Sequence, residues 1–314
     1  MARGRLTLLS AAEQRYCAPL LDAFAAAHPD VALDFVFGIS TDLHQHYLAE
    51  HAAGGPTADL VWSSAMDLQM ALVLEGHAQP HGVIHDLPPG AAYRDLALAT
   101  TSEPLVTLIR APDAPAGTPA ELAGLLRHQG ARFRGRVAVL DIEANGLGFL
   151  AMLRWSLEAA QFDAFLEALR GCSPRAAGSA VALVKAVEQE ADLALHVLGA
   201  YAARAVAADR TLRIASSAEP APAVARIAFI PRRAANPEAA SAFLRFTVSP
   251  AGQAALGEAG LFPITAPPQQ PLSPIPIDAG FERLLDETAR AALLARWRQA
   301  IGRKPTTTGG GTAS

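Results

Sequence analysis

Leu60-Val61-Trp62 is a short apolar run that stops on two serines, Ser63 and Ser64. A run of this kind reads as the end of a buried parallel strand. Ser64, with Asp67 three residues later, has the form of a capping box, so a helix is expected to begin at once. A strand that feeds straight into a helix aims free backbone N–H groups off the strand's carboxyl end. Open α/β sheets bind ligands at that edge, and the helix dipole favours an anion there.

The same strand-into-helix pattern recurs along the chain. Residues 5–10 read as a strand, and 15–27 as a helix with Leu20, Leu21 and Phe24 on one face. A second strand over 31–37 is halted by Gly38, after which Ser40 or Thr41 can cap a helix reaching about residue 53. Short connections between such units predict a parallel, right-handed, doubly wound sheet. Its strand ends at Ser10, Gly38 and Ser63 would line one edge. Residues 80–102 are irregular, 103–110 form a strand, and Thr118-Pro119 with Glu121 opens a capped helix. A second alternating block follows, with a strand at 136–142, helices at 146–160, 162–170 and 179–189, a strand at 192–198 and a helix at 200–208. A strand at 224–230, a helix at 237–248, a proline-rich stretch at 263–276 and a last amphipathic helix at 281–301 complete the pattern. The tail, 304–314, has the low complexity of a disordered segment.

Two such blocks, with extended segments near 103–110 and 224–230 passing between them, predict two α/β lobes, a hinge and a cleft. Lobe 1 is expected over 1–103 plus 227–268, and lobe 2 over 104–226 plus 269–303. With 314 residues, 51% of them hydrophobic, the chain can build both cores. A net charge of −4 argues against a nucleic-acid partner, and no apolar run reaches the 18 residues of a membrane span. Cys17 and Cys172 lie far apart without metal-ligand spacing and read as free thiols. The apolar stretch from Leu6 to Leu9 is too short for the core of an export signal.

The second lobe has its own candidate mouth at Glu143-Ala-Asn145-Gly146-Leu-Gly148. Asn145 can cap a helix there, and the glycines allow a close approach. Gly146-Leu-Gly148-Phe-Leu-Ala151 also fits the dinucleotide pattern G-x-G-x-x-A. That motif needs a strand ending in an acid about 20 residues on, where this sequence reads as a helix, so no dinucleotide is expected. Glu13, Ser40, Thr41, Ser179 and His196 fall near predicted element ends facing the cleft. His44, His46 and His51 read as a solvated helix face, and His77, His81 and His85 as loop residues. No G-x-S-x-G elbow, Walker loop, H-E-x-x-H or cysteine cluster occurs, so neither catalysis nor a cofactor or metal is expected.

The segments 58–69, 141–150, 197–201 and 226–237 together resemble the extracellular solute-binding proteins of ABC importers, in the branch labelled iron(III)-type. The resemblance runs from about Leu6 to Ile301. It implies the type II periplasmic-binding fold, a periplasmic location, and delivery of a small solute to a membrane permease. A ligand sensor feeding a two-component system, or a ferric-ion carrier, is the alternative. Iron-binding members of the wider group use an adjacent tyrosine pair. Here Tyr16, Tyr47, Tyr93 and Tyr201 are all isolated, so iron is not the expected cargo. Relatives also tend to have a Ser-Ser-Thr-type loop where this chain has Ser10-Ala11-Ala12-Glu13. The reading is a monomer that closes around a small organic anion, phosphorylated or carboxylated. Helix N-termini at Ser63-Ser64, Asn145-Gly146 and Gly178-Ser179 would hold it without a counter-charge of their own. The expected contacts are Ser10, Thr41, Ser63, Ser64, Asn145, Gly146, Ser179, His196 and Tyr201.

Overall fold

The computed structural model describes residues 3–110, 114–268 and 270–302, so the tail expected over 304–314 lies outside the described residues. The first block is β1 (Gly4–Ser10), α1 (Gln14–Ala27), β2 (Val31–Phe37), α2 (Ser40–Ala52), β3 (Leu60–Ser63) and α3 (Met66–Leu74). Short strands β4 (Ala78–Gln79), β5 (Ala92–Tyr93) and β6 (Ala97–Ala99) follow within the stretch that reads as irregular. Next come β7 (Glu103–Ile109), α4 (Pro119–His128), α5 (Gly130–Phe133), β8 (Val137–Leu140), α6 (Gly146–Glu158), α7 (Phe162–Gly171) and β9 (Arg175–Ala177). The rest is α8 (Ala180–Gln189), β10 (Leu193–Leu198), α9 (Gly199–Ala208), β11 (Arg213–Ile214), β12 (Ala221–Val224), β13 (Ile227–Pro231), α10 (Pro237–Thr247), α11 (Pro250–Glu258), β14 (Leu272–Pro274), a 3₁₀ helix at Ala279–Leu285 and α12 (Glu287–Ala300).

Two mixed sheets form, in the order β2-β1-β3-β13-β6-β5 and β14-β12-β7-β10-β8-β9. In the first, β1 runs parallel to β2 and β3, and β13 returns antiparallel beside β3. In the second, β8 is parallel to β9 and β10, with β7 antiparallel to β10. The chain changes sheets after β6, between β12 and β13, and again after α11. The stretch 224–230, which reads as one strand, is therefore two, broken at Ala225-Arg226 where the polypeptide passes from one sheet to the other. Likewise the last predicted helix divides at Asp286, whose carboxylate caps α12 through the Ala289 N–H. The helix α11 has no counterpart in the sequence reading.

Alternation along β3 builds both faces of the first sheet. Leu60 and Trp62 join Leu6, Leu8, Leu20, Phe24 and Phe243 on one side. Val61 and Leu9 point the other way, into a core that continues through Met66 and Met70 to Phe149 and Trp297 of the second lobe. In β7 every residue is buried, as expected of a central strand.

Candidate functional site

The carboxyl ends of the two sheets face each other. Two contacts fix this arrangement. At the start of α6, a Cβ on Gly146 would come within 3.1 Å of Ala65 Cβ and 3.3 Å of Asp67 Oδ1, so this helix end abuts the start of α3. On the opposite flank, Tyr16 of α1 and Tyr201 of α9 meet edge to face at 5.6 Å. Going outward from the crossover strands, the order is β3, β1, β2 in the first sheet and β10, β8, β9 in the second.

Ser10 and Ser63 end the neighbouring strands β1 and β3 and are fully buried. Ser10 Oγ accepts the Ala12 N–H at 3.1 Å, and Ser63 Oγ accepts the Ala65 N–H at 3.2 Å while donating to Ser40 Oγ at 3.4 Å. Each hydroxyl thus stiffens the turn between strand and helix. Ser64, also buried, does not cap α3. The helix begins one residue later, with Ala65 as its N-cap and no side-chain cap. Asp67 is buried and turns instead to Arg290 of α12, at 2.9 Å. A buried carboxylate gains more from a cation than from a capping bond, because desolvation pushes its pKa up and the Arg290 charge opposes that shift. The start of α3 therefore has its own negative charge, contrary to the sequence expectation of a bare N–H cluster there.

Thr41 lies in the first turn of α2, whose N-cap is Ile39. It follows closely on Phe37 and Ile39, which are 50% and 42% exposed. Asn145 caps α6 as expected, accepting the Gly148 N–H at 2.9 Å. Gly148 in turn lets α6 lie against β8, since a Cβ there would come within 2.5 Å of Leu140 Cβ. The two glycines thus serve helix–strand and lobe–lobe packing, and residues 162–171 are helical, so the dinucleotide fingerprint lacks its second strand. Ser179 caps α8 at the far edge of the second sheet, accepting the Ala182 N–H at 3.1 Å.

His196 sits inside lobe 2 with its ring 4.2 Å from that of Trp155 and its Nε2 unpartnered. Burial lowers its pKa to about 3, so the imidazole is neutral. Its φ of 55° places it in the left-handed region, where β10 bulges between Ala194 and Val197. Tyr201 lies in the first turn of α9, its phenol pKa raised by burial. Arg204 spans the same flank, stacking over Tyr16 at 4.4 Å and donating to the Ala259 carbonyl at 2.7 Å.

Sequence reasoning missed the floor of the cleft. Arg226 and Glu103, both fully buried, pair across the two crossover strands, with Nε 2.7 Å from Oε1. Thr101 Oγ1 donates to Glu103 and accepts the Arg226 N–H. Thr100 Oγ1 donates to the Arg226 carbonyl and accepts from Trp62 Nε1 at 2.9 Å. Trp62 is thereby tied to the hinge. The available signal was two opposite charges, each heading an otherwise apolar strand.

The helix ends on the two walls differ in charge. In lobe 1, α1 begins at Glu13, and α2 and α3 carry Asp42 and Asp67 in their first turns. In lobe 2, α6, α8 and α9 have no acidic residue in the first turn, and α9 also lacks a side-chain cap. Among the described residues no group of three or more His, Cys, Asp or Glu side chains is placed to hold a metal ion.

Two α/β lobes whose strand ends face across a hinge define a two-lobed binding protein of type II topology. The chain belongs to the bacterial extracellular solute-binding protein family, whose model matches residues 6–262. It is a binding protein, not an enzyme. A substrate binding protein of an ABC transporter from Agrobacterium tumefaciens is 26% identical, with a TM-score of 0.87 over 95% of this chain and 94% of that one. The fold is shared with AfuA from Actinobacillus pleuropneumoniae, solved with fructose-6-phosphate (15% identity, TM-score 0.73, 96% and 99% covered). Iron-bound HitA from Pseudomonas aeruginosa also shares it (14% identity, TM-score 0.70, 94% and 99% covered). A comparison with curated proteins found no match.

Proposed function

We propose that this protein is the periplasmic solute-binding component of an ABC importer and that it captures a small organic anion between its lobes. The observation that supports the anion best is the start of α9. Its first turn has neither a side-chain cap nor an acidic residue, so its backbone N–H groups and dipole have no negative charge of their own, although Gly199 itself packs against Pro104 and Phe262. The N-terminus of α6 likewise has no acidic residue in its own first turn, with Asn145 satisfying one donor and Gly146 lying against Ala65 and Asp67 of α3. An oxygen-rich solute would rest against this lobe 2 wall, with Tyr201, Gly146 and Asn145 beside it and the Ser10, Ser63 and Ser64 turns opposite. Thr41 and Ser179 would meet its outer end. His196, neutral and packed on Trp155, shapes the wall from behind.

Thermal-shift screening tests the reading, with fructose-6-phosphate, 3-phosphoglycerate and succinate as anions, glucose as a neutral solute, thiamin as a cation and ferric citrate as the metal source. A ligand at 100 times its Kd stabilises by about 2.7 kcal/mol, a readable rise in Tm. The anions should raise Tm, and Tyr201→Phe with Ser63→Ala should reduce the rise. Stabilisation by glucose, thiamin or iron alone would remove the anion from the proposal.

A further inference from the structure

Behind the crossover strands lies a cavity of about 840 Å³ that shares with the cleft only Thr101, at the cleft floor, and Gly199, at the start of α9. Its position follows from strand order. The strands that feed the cleft helices, β3, β1 and β2 in one sheet and β10, β8 and β9 in the other, occupy one end of each sheet. The cavity lies at the other end, between the loop before β5 in lobe 1 and the β12–β14 edge of lobe 2. All three passages of the chain between lobes contribute to its wall: Thr101, Ser102 and Pro104 entering β7, Ala223–Ala225 leaving β12, and residues of the stretch after α11 such as Phe262, Pro267 and Pro276. The first and third are joined by the Ser102 N–H to Phe262 carbonyl bond at 2.9 Å. The roof closes across the lobes where the Ile277 N–H donates to the Gly90 carbonyl at 2.8 Å.

The wall is chemically uniform. None of its described residues is charged, eight are prolines, and most of the rest are alanine, glycine or aliphatic. Ser102 and Gln270 supply a hydroxyl and an amide. Prolines hold φ fixed, so this surface keeps its shape without a ligand. A preformed space of 300–1,000 Å³ with apolar walls and a few polar groups has the dimensions of a small-molecule site.

We propose that this cavity is a second binding site, for an uncharged apolar small molecule, and that occupation favours the closed cleft. The crossover strands act as the pivot between cleft and cavity. Rotation that draws β2 and β9 together moves the β5 and β14 edges apart, so a molecule wedged between those edges resists reopening. Its affinity is then higher for the closed arrangement, which is the condition for shifting the equilibrium. A charged ligand is excluded because no side chain in the wall would compensate its lost hydration.

N-phenyl-1-naphthylamine, an uncharged two-ring fluorophore, serves as the probe. Its emission should rise saturably at one molecule per chain, and small-angle scattering should give a smaller radius of gyration with the probe bound. Ala203→Trp and Ala266→Trp place an indole in the cavity from two solvent-exposed positions on separate elements. Each should weaken the probe at least tenfold while leaving the far-UV circular dichroism unchanged. If one variant misfolds, the other still decides. A lack of saturable emission, or equal affinity in a folded tryptophan variant, would overturn the site. An unchanged or larger radius of gyration would overturn the coupling. The probe needs no solute, so any of these failures leaves the anion reading untouched.

Discussion

At the scale of single residues, the cleft is shaped by groups whose roles depend on what happens to lie beside them. Gly148 is required by contact: Gly148→Ala drives a methyl into Leu140 and should cost about 1–3 kcal/mol in urea denaturation despite alanine's better helix propensity. His196 sets an acid limit. Its unfolded imidazole takes a proton near pH 6.5, but the buried one refuses it until about pH 3. The unfolded state thus binds more protons through that window, and stability falls as pH drops below 6.5. From pH 7 to 5 this group alone should cost about 2 kcal/mol. His196→Asn, which tolerates the left-handed backbone but does not titrate, should lose correspondingly less stability over that range in urea titrations at the two pH values. Asn145 was legible as a cap because a cap needs only its own next three residues. Ser64 and Asp67 were misread as one, because Arg290 lies 223 positions away along the chain and is nowhere visible from the local pattern.

At the scale of elements, the two crossover strands are pinned by one buried ion pair. Arg226→Met strands the Glu103 carboxylate in the core and should cost about 3–5 kcal/mol, whereas Arg226→Met with Glu103→Leu should recover most of it. A double variant no more stable than Arg226→Met would show that Glu103 is paired by other groups. The seam between α3 and α6 gives a second test. Gly146→Val adds an isopropyl group against Ala65 and Asp67 and should open the lobes, raising the radius of gyration before any solute is added. An unchanged radius would mean that the seam does not limit closure. Most helices and strands could be read from periodicity and punctuation, since those are local. The break at Ala225-Arg226 could not. Arg226 is the one charge between Ala221 and Pro231, but a single charge does not say that the chain changes sheets there; β12 is buried only at its last two residues, whereas β13 is buried throughout.

For the whole molecule, the lobes are coupled on both flanks of the hinge: by Asp67–Arg290 and the α3–α6 contact on one, and by Tyr16, Tyr201 and Arg204 on the other. A solute bridging the walls adds contacts that only the closed form can make, so the bound protein should scatter with a smaller radius of gyration than the free one. Equal radii would place the solute on one wall only. Alternating strands and helices, the capping signals and the apolar faces were set by the amino-acid order, because each depends on neighbours within a turn or two of the chain. Which helix ends kept their charge bare, which serine became a strut for a turn, and which arginine met which acid were decided only when distant segments came together. A buried charge takes whatever partner lies within a few ångströms, and separation along the chain does not tell it what that partner will be.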